Sequence, residues 1–229
     1  MTQSSQPSLI ETMRVQADGL IPLLPNHLRR LKQSAQALGY VYPGNEAVVA
    51  AITAGLNQVC SKASKHVVAT LAVKRVRLLL SPGGQLSVES APLPDLPDVS
   101  FIALTSLRLE SNEPLLQHKT TYRPWYEATA KWLTQHTDFF DLIFLNEKNE
   151  LCEGSRSNIY VFKNGEWLTP PLSSGLLGGV LRHHLLVTGQ VKQAILMPAD
   201  LNLSHAGKNP IRLSNALRGW FDVALVDLK

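Results

Sequence analysis

Between residues 110 and 117 the periodic placing of apolar residues stops. The stretch is polar, contains Pro114, and follows neither a helical nor a strand period. On either side of it, strand-like and helix-like segments alternate. A chain punctuated in this way is expected to fold as two α/β lobes, residues 1–109 and 118–229, joined by a linker at 110–117. A length of 229 residues allows this, since one domain takes about 150 residues.

The first part predicts strands at 9–15 and 19–24 around the Asp18-Gly19 turn, as a hairpin. A helix capped by Asn26 follows, with Leu28, Leu31, Ala35 and Leu38 on one face and Gly39 at its end. A second helix spans 45–61. Strands are expected at 67–80 and 99–109, with an irregular connection through Pro92, Pro94 and Pro97. The second part predicts a helix at 124–134 and strands at 139–145 and 158–163. An Asn164-Gly165 turn, a helix after Gly179, and strands near 191–197, 210–213 and 221–226 complete it. No internal repeat is present.

Composition removes several classes. The net charge is only +4, from 22 Lys and Arg against 18 Asp and Glu. Residues 47–88 carry Lys62, Lys65, Lys74, Arg75 and Arg77 with no acidic residue. That is either a solvated face or a field that draws in an anionic small molecule. No aromatic residue interleaves with the basic ones between Lys62 and Arg77, so a single-strand nucleic-acid platform is not expected. Two cysteines, Cys60 and Cys152, fit a reducing compartment. Residues 1–15 lack a basic stretch followed by an apolar core, and no apolar run is long enough to span a membrane. A cytoplasmic protein is expected. No two histidines, and no histidine and cysteine, stand at metal-ligand spacing. Walker and dinucleotide fingerprints are absent.

Three local contexts suit a phosphorylated, electron-withdrawing cofactor. Gly178-Gly179-Val180-Leu181-Arg182 opens a helix, whose first N–H groups and dipole attract anions. Taken alone, such a loop can equally serve only to turn a strand into a helix. Lys119 follows the linker, at the expected seam between lobes. Glu153 follows a strand and precedes Gly154-Ser155, where a carboxylate can face a cleft.

As a set these residues resemble the class IV aminotransferase family, the fold type IV pyridoxal phosphate enzymes. The resemblance is carried by Glu153-Gly154-Ser155-Arg156-Ser157-Asn158-Ile159-Tyr160, Thr169-Pro170-Pro171-Leu172 and the run from Gly175 to Arg182. It extends to Glu11-Thr12-Met13-Arg14 and to His27-Leu28-Arg29-Arg30-Leu31 with Ser34-Ala35. Within the family, His118-Lys119-Thr120-Thr121 and Ser214-Asn215-Ala216-Leu217-Arg218-Gly219 look most like the 4-amino-4-deoxychorismate lyases. These split aminodeoxychorismate into 4-aminobenzoate and pyruvate in folate synthesis. Branched-chain and D-amino acid aminotransferases share the cofactor site.

The resemblance implies a two-lobed α/β fold like that of D-amino acid aminotransferase, here with a shortened N-terminal hairpin. It implies a homodimer acting on a small anionic substrate. Lys119 is expected to hold the cofactor as a Schiff base and act as the base. Glu153 is expected against the pyridine nitrogen. Arg30, the backbone N–H groups of Val180 and Leu181, and Ser214 with Asn215 are expected to bind the phosphate. Arg77 is expected to meet a substrate carboxylate. Tyr122 stands where many relatives carry a smaller polar residue.

Overall fold

The structure, a computed structural model, describes residues 6–62, 73–96, 100–205 and 210–228. The chain divides into two compact units. One is Met1–Asp95 with Lys119–Tyr122; the other is Leu96–His118 with Arg123–Lys229.

The first unit has a three-stranded antiparallel sheet in the order β1 (Leu9–Val15), β2 (Lys74–Leu80), β3 (Leu86–Pro92). Two helices accompany it, α1 (Leu24–Ala37) and α2 (Asn45–Lys62). Strand alternation defines the core. Leu9, Met13 and Val15 of β1 are buried with Val76, Leu78 and Leu80 of β2. Leu31 and Ala35 of α1 and Val48 and Ile52 of α2 complete that cluster. Glu11 occupies the same alternating set, opposite Leu78.

Three expectations are corrected here. The Asp18-Gly19 turn forms, with Gly19 at φ 86° and the Leu20 N–H donating to Asp18 Oδ1 at 2.9 Å. Residues 19–24 do not return as a strand, however, and β1 pairs with the distant β2. Pro22 has no amide to give to a ladder, and the chain turns into α1 instead. That helix starts at Leu24 with proline in its first turn and Leu23 as its N-cap, so Asn26 lies inside it. The stretch read as irregular before Pro94 contains β3, an edge strand that tolerates Pro92 at its end. Residues 67–72 of the long expected strand lie outside the described residues.

The second unit begins before β4 (Phe101–Leu109), whereas the sequence placed residues 101–109 in the first lobe. β4 joins this unit because it runs parallel to both β5 (Phe139–Asn146) and β11 (Gly219–Leu225). The remaining elements are α3 (Glu127–Gln135), β6 (Leu151–Gly154), β7 (Asn158–Lys163), β8 (Glu166–Thr169), α4 (Val180–Val187), β9 (Lys192–Gln193), α5 (Pro198–His205) and β10 (Ile211–Asn215). The strand order is β10-β11-β4-β5-β6-β7-β8-β9, and β10 also pairs with β7. That extra pairing closes a ring of strands and leaves fewer open edges.

The expected linker is not a loose tether. Residues 114–117 form one 3-10 turn, and Leu116 is buried with Leu109, Tyr126, Phe144 and Cys152. The strand expected over 191–197 shrinks to β9, and α5 follows it.

Candidate active site

In the second unit three neighbouring strands bring polar residues into one row. Glu153 on β6 lies opposite Asn158 on β7, and Asn158 lies opposite Ser214 on β10. All three are buried. The loop between β6 and β7 is pinned by a carboxylate the sequence reading did not single out, Asp141 of β5. Its Oδ1 accepts from the Ser155 N–H at 2.8 Å and the Ser155 hydroxyl at 2.7 Å. Its Oδ2 accepts from the Arg156 N–H at 3.0 Å and the Ser157 hydroxyl at 2.6 Å. Such a set satisfies a buried charge and fixes the loop. Gly154 has no side chain because a Cβ there would overlap the Asp141 carboxylate.

Glu153 is oriented from both sides. Its Oε1 accepts from the Tyr126 hydroxyl at 2.7 Å and the Leu177 N–H at 3.0 Å. Its Oε2 accepts from Asn158 Nδ2 at 3.2 Å. Burial, then the negative charge of Glu153, push the Tyr126 phenol well above its ordinary range. Tyr126 therefore stays a proton donor. Three donors complement a negative charge on Glu153.

Asn158 also donates to the Leu177 carbonyl at 2.9 Å, so one side chain links Glu153 to the loop entering α4. Gly179 is the N-cap of α4, and no side chain caps it. The N–H groups of the first turn, those of Val180 and Leu181 included, have no acceptor four residues back in the helix. Together with the helix dipole they favour an anion. Arg182 turns inward, donating from Nη2 to the Pro170 carbonyl at 2.7 Å and to Gln193 Oε1 at 3.3 Å. It anchors α4 against its own unit.

A Cβ on Gly179 would overlap Asn158 Oδ1. Gly179→Ala is expected to lower the unfolding free energy by about 1–3 kcal/mol, the cost of forcing atoms into a packed site. Denaturant titration against wild type measures this.

Ser214 Oγ shares a hydrogen bond with the Tyr160 hydroxyl at 2.7 Å. Asn215 Oδ1 accepts from the N–H groups of Leu217 at 3.1 Å and Arg218 at 2.8 Å. Its Nδ2 donates to the Arg156 carbonyl at 3.1 Å. The Asn215 side chain thus binds the β10–β11 turn to the loop that Asp141 pins. Glu153, Ser214, Asn215 and the start of α4 are brought together in this way around Asn158.

Lys119, Arg30 and Arg77 belong to the first unit. The segment bearing Lys119 is stitched to the start of β1. The Ile10 N–H donates to the Lys119 carbonyl at 2.7 Å, and the Thr121 N–H to the Ser8 carbonyl at 2.9 Å. The Ser8 N–H donates to Thr121 Oγ1 at 3.0 Å, and Thr120 bridges Leu9. Arg77 alternates with buried Val76 and Leu78 on β2, so it sits on the face away from the core, opposite Thr12 and Glu89.

Arg30 is held by Glu11. Its Nε donates to Glu11 Oε1 at 2.8 Å and its Nη2 to Oε2 at 2.6 Å; His27 Nδ1 lies 2.6 Å from Oε2. Burial raises the Glu11 pKa, but the Arg30 charge and the hydrogen bonds from His27 and Arg30 more than offset it, giving about 2 against an ordinary 4.5. A depressed carboxylate stabilises the fold at pH values above 4.5, and that contribution is lost as pH falls from there towards 2. Its size is on the order of 3 kcal/mol. Acid unfolding followed by circular dichroism is expected to show this loss, and Glu11→Gln to flatten it.

Among the described residues no group of His, Cys, Asp and Glu side chains could hold a metal ion. No described helix is long and apolar enough to cross a membrane. Sequence reasoning gave no role to Asp141, Tyr126, Asn158, Glu11 or His27. The available signal was an acid where the strand pattern calls for an apolar residue, by alternation at Glu11 and within a continuous apolar run at Asp141.

The profile described as amino-transferase class IV matches residues 8–226. A Schizosaccharomyces pombe protein provisionally named an aminodeoxychorismate lyase is 30% identical over 179 residues, 77% of this chain and 72% of that protein. Among solved structures, a provisionally assigned amino-acid aminotransferase from Mesorhizobium loti is 31% identical. It superposes with a TM-score of 0.81 over 96% of this chain and 100% of that one. A hypothetical aminotransferase from Mycobacterium tuberculosis, solved in a pyridoxal phosphate-bound form, shares the fold. It is 24% identical with a TM-score of 0.74, covering 95% of this chain and 81% of that one.

Proposed function

The chain belongs to the class IV aminotransferase family of pyridoxal phosphate enzymes, and from that premise we propose that it is a 4-amino-4-deoxychorismate lyase, releasing 4-aminobenzoate and pyruvate. The observation that carries the enzymatic reading is the buried Glu153 carboxylate, held by Tyr126, Leu177 and Asn158 beside the uncapped start of α4. This donor set fits pyridoxal phosphate. A carboxylate is available for the ring nitrogen, and helix N–H groups are available for the phosphate.

When bound, the cofactor would supply an aldehyde for the substrate amine and, behind it, an electron-withdrawing ring. The residues of this chain do the rest. Lys119 would hold the cofactor covalently until substrate displaces it. Its freed amine would then take the proton from the carbon bearing the substrate amine. Cleavage of the bond to the enolpyruvyl oxygen makes the substrate ring aromatic, which drives the reaction, and the proton held by Lys119 would return to the departing fragment, which leaves as pyruvate. The Glu153 carboxylate would sit against the ring nitrogen and keep it protonated. Arg30, the N–H groups of Val180 and Leu181, Ser214 and the Asn215 turn would hold the phosphate. Arg77 would pair with a substrate carboxylate.

The Ser214-Asn215-Ala216-Leu217-Arg218-Gly219 and His118-Lys119-Thr120-Thr121 motifs support the lyase over a transaminase, as does the Schizosaccharomyces pombe relative. The Mesorhizobium loti neighbour favours the second reading, an aminotransferase acting on branched-chain or D-amino acids. The test is to add those amino acids singly to the loaded enzyme. A lyase leaves the bound cofactor in its aldehyde oxidation state. Stoichiometric conversion to pyridoxamine phosphate contradicts the lyase reading.

A further inference from the structure

The guanidinium of Arg30 is gripped from one side by a carboxylate on β1. Glu11 faces α1 because it shares the core-facing alternation of Leu9, Met13 and Val15. His27 and Arg30 are three residues apart on α1, so they project from the same side of the helix. Both reach the same carboxylate. Glu11 takes Nε and Nη2 of Arg30 on its two oxygens, and His27 Nδ1 on Oε2. Glu11 and His27 are buried, and the Arg30 side chain keeps 15% of its exposure.

This grip uses two of the five N–H bonds of the guanidinium, from Nε and Nη2. The Nη1 edge lies outside it. A long side chain that is free to rotate loses conformational freedom when it binds an anion. One already fixed in its plane loses much less.

We propose that Glu11, steadied by His27, is a positioning residue for Arg30. It locks the guanidinium so that the Nη1 edge is presented to the cofactor phosphate. This rests on the reading of Arg30 as a phosphate ligand. Glu11 brings two opposed effects. As a charge it repels a phosphate dianion; as a brace it orients the cation that binds one. The proposal states that the brace dominates.

The test is titration of apoenzyme with pyridoxal phosphate and, separately, with pyridoxal, which lacks the phosphate, followed by visible absorbance. The readout is the dissociation constant of pyridoxal divided by that of pyridoxal phosphate. Glu11→Gln keeps the shape and removes the charge. It is expected to weaken pyridoxal phosphate by about tenfold, a size typical of losing a group that orients a ligand, and to leave pyridoxal unchanged. The double variant with Arg30→Ala should bind pyridoxal phosphate no more weakly than Arg30→Ala alone. Glu11→Asp keeps the charge, but is one methylene too short to serve Arg30 and His27 together. It should also lower the ratio, and it decides the matter if Glu11→Gln does not fold.

Unchanged or tighter pyridoxal phosphate binding in Glu11→Gln overturns the brace. So does an equal loss with both ligands, which would mark Glu11 as purely structural. If Arg30→Ala itself leaves the ratio at the wild-type value, the reading of Arg30 fails and the proposal falls with it.

Discussion

Lys119→Ala is expected to abolish formation of 4-aminobenzoate, with a fall in rate of about 10⁴-fold or more, the upper range for loss of a general acid–base group. Two functions are lost in one substitution, since the same amine holds the cofactor and moves the proton. Borohydride reduction of wild type should fix the cofactor on the peptide containing Lys119. The same treatment of the variant should leave that peptide unmodified. The stitching of this segment to β1 uses backbone groups of Ser8, Ile10, Lys119 and Thr121 and the Thr121 hydroxyl, and none of these is removed. The variant should therefore keep this stitching, and its unfolding temperature, measured beside the rate, separates a structural loss from a chemical one. Lys119→Arg, which keeps a cation but has no displaceable amine, should be equally inactive.

The second large effect is expected at Glu153. Glu153→Gln should lower kcat by about 10²–10³-fold, the size met when one charge-stabilising group of an active site is removed. The amide has nearly the same shape but offers no charge to the ring nitrogen. It also sets an NH₂ group among three donors, from Tyr126, Leu177 and Asn158, and one of these then loses its acceptor. That adds a stability cost of about 1–3 kcal/mol, the penalty for an unsatisfied buried polar group. Glu153→Asp keeps the charge and should recover part of kcat. If Glu153→Gln lowers stability while kcat stays at the wild-type value, the assignment of Glu153 to the ring nitrogen is wrong.

Local signals in the sequence were read well where short-range chemistry decides. Asn164-Gly165, with φ of 55° and 82°, joins β7 to β8, and Gly179 stands at the start of α4. The core of β1 followed from its alternation. Features made by distant pairing were not legible. β1 finds its partner in β2 across two helices, so the turn at Asp18-Gly19 suggested a hairpin that does not form. The β10–β7 pairing that sets Ser214 beside Asn158 joins residues fifty or more positions apart, and no local pattern announces it. The division of the chain was misplaced for a related reason. Residues 110–117 look like a linker because they are polar and aperiodic, yet Leu116 is buried in the core of the second unit and the Ser111 N–H donates to Glu147 Oε2 at 2.8 Å.

The candidate site shows the same division. The motifs named Lys119, Arg30 and Glu153, whose residue types the chemistry requires. Their supports could not be named, because Tyr126, Asp141 and Glu11 act through contacts that exist only in the folded chain. A tyrosine in a helix-like stretch and a lone acid in an apolar strand each have an ordinary structural explanation. Only the three-dimensional arrangement shows that they serve Glu153, the loop from Ser155 to Ser157, and Arg30.

The most direct test is to incubate the purified enzyme, loaded with pyridoxal phosphate, with 4-amino-4-deoxychorismate alone, and to measure both products by chromatography. The account predicts 4-aminobenzoate and pyruvate in equal amounts over many turnovers, with no amino acceptor added and no signal from Lys119→Ala. No 4-aminobenzoate, together with sustained amino transfer from a branched-chain or D-amino acid to a keto acid, would contradict it.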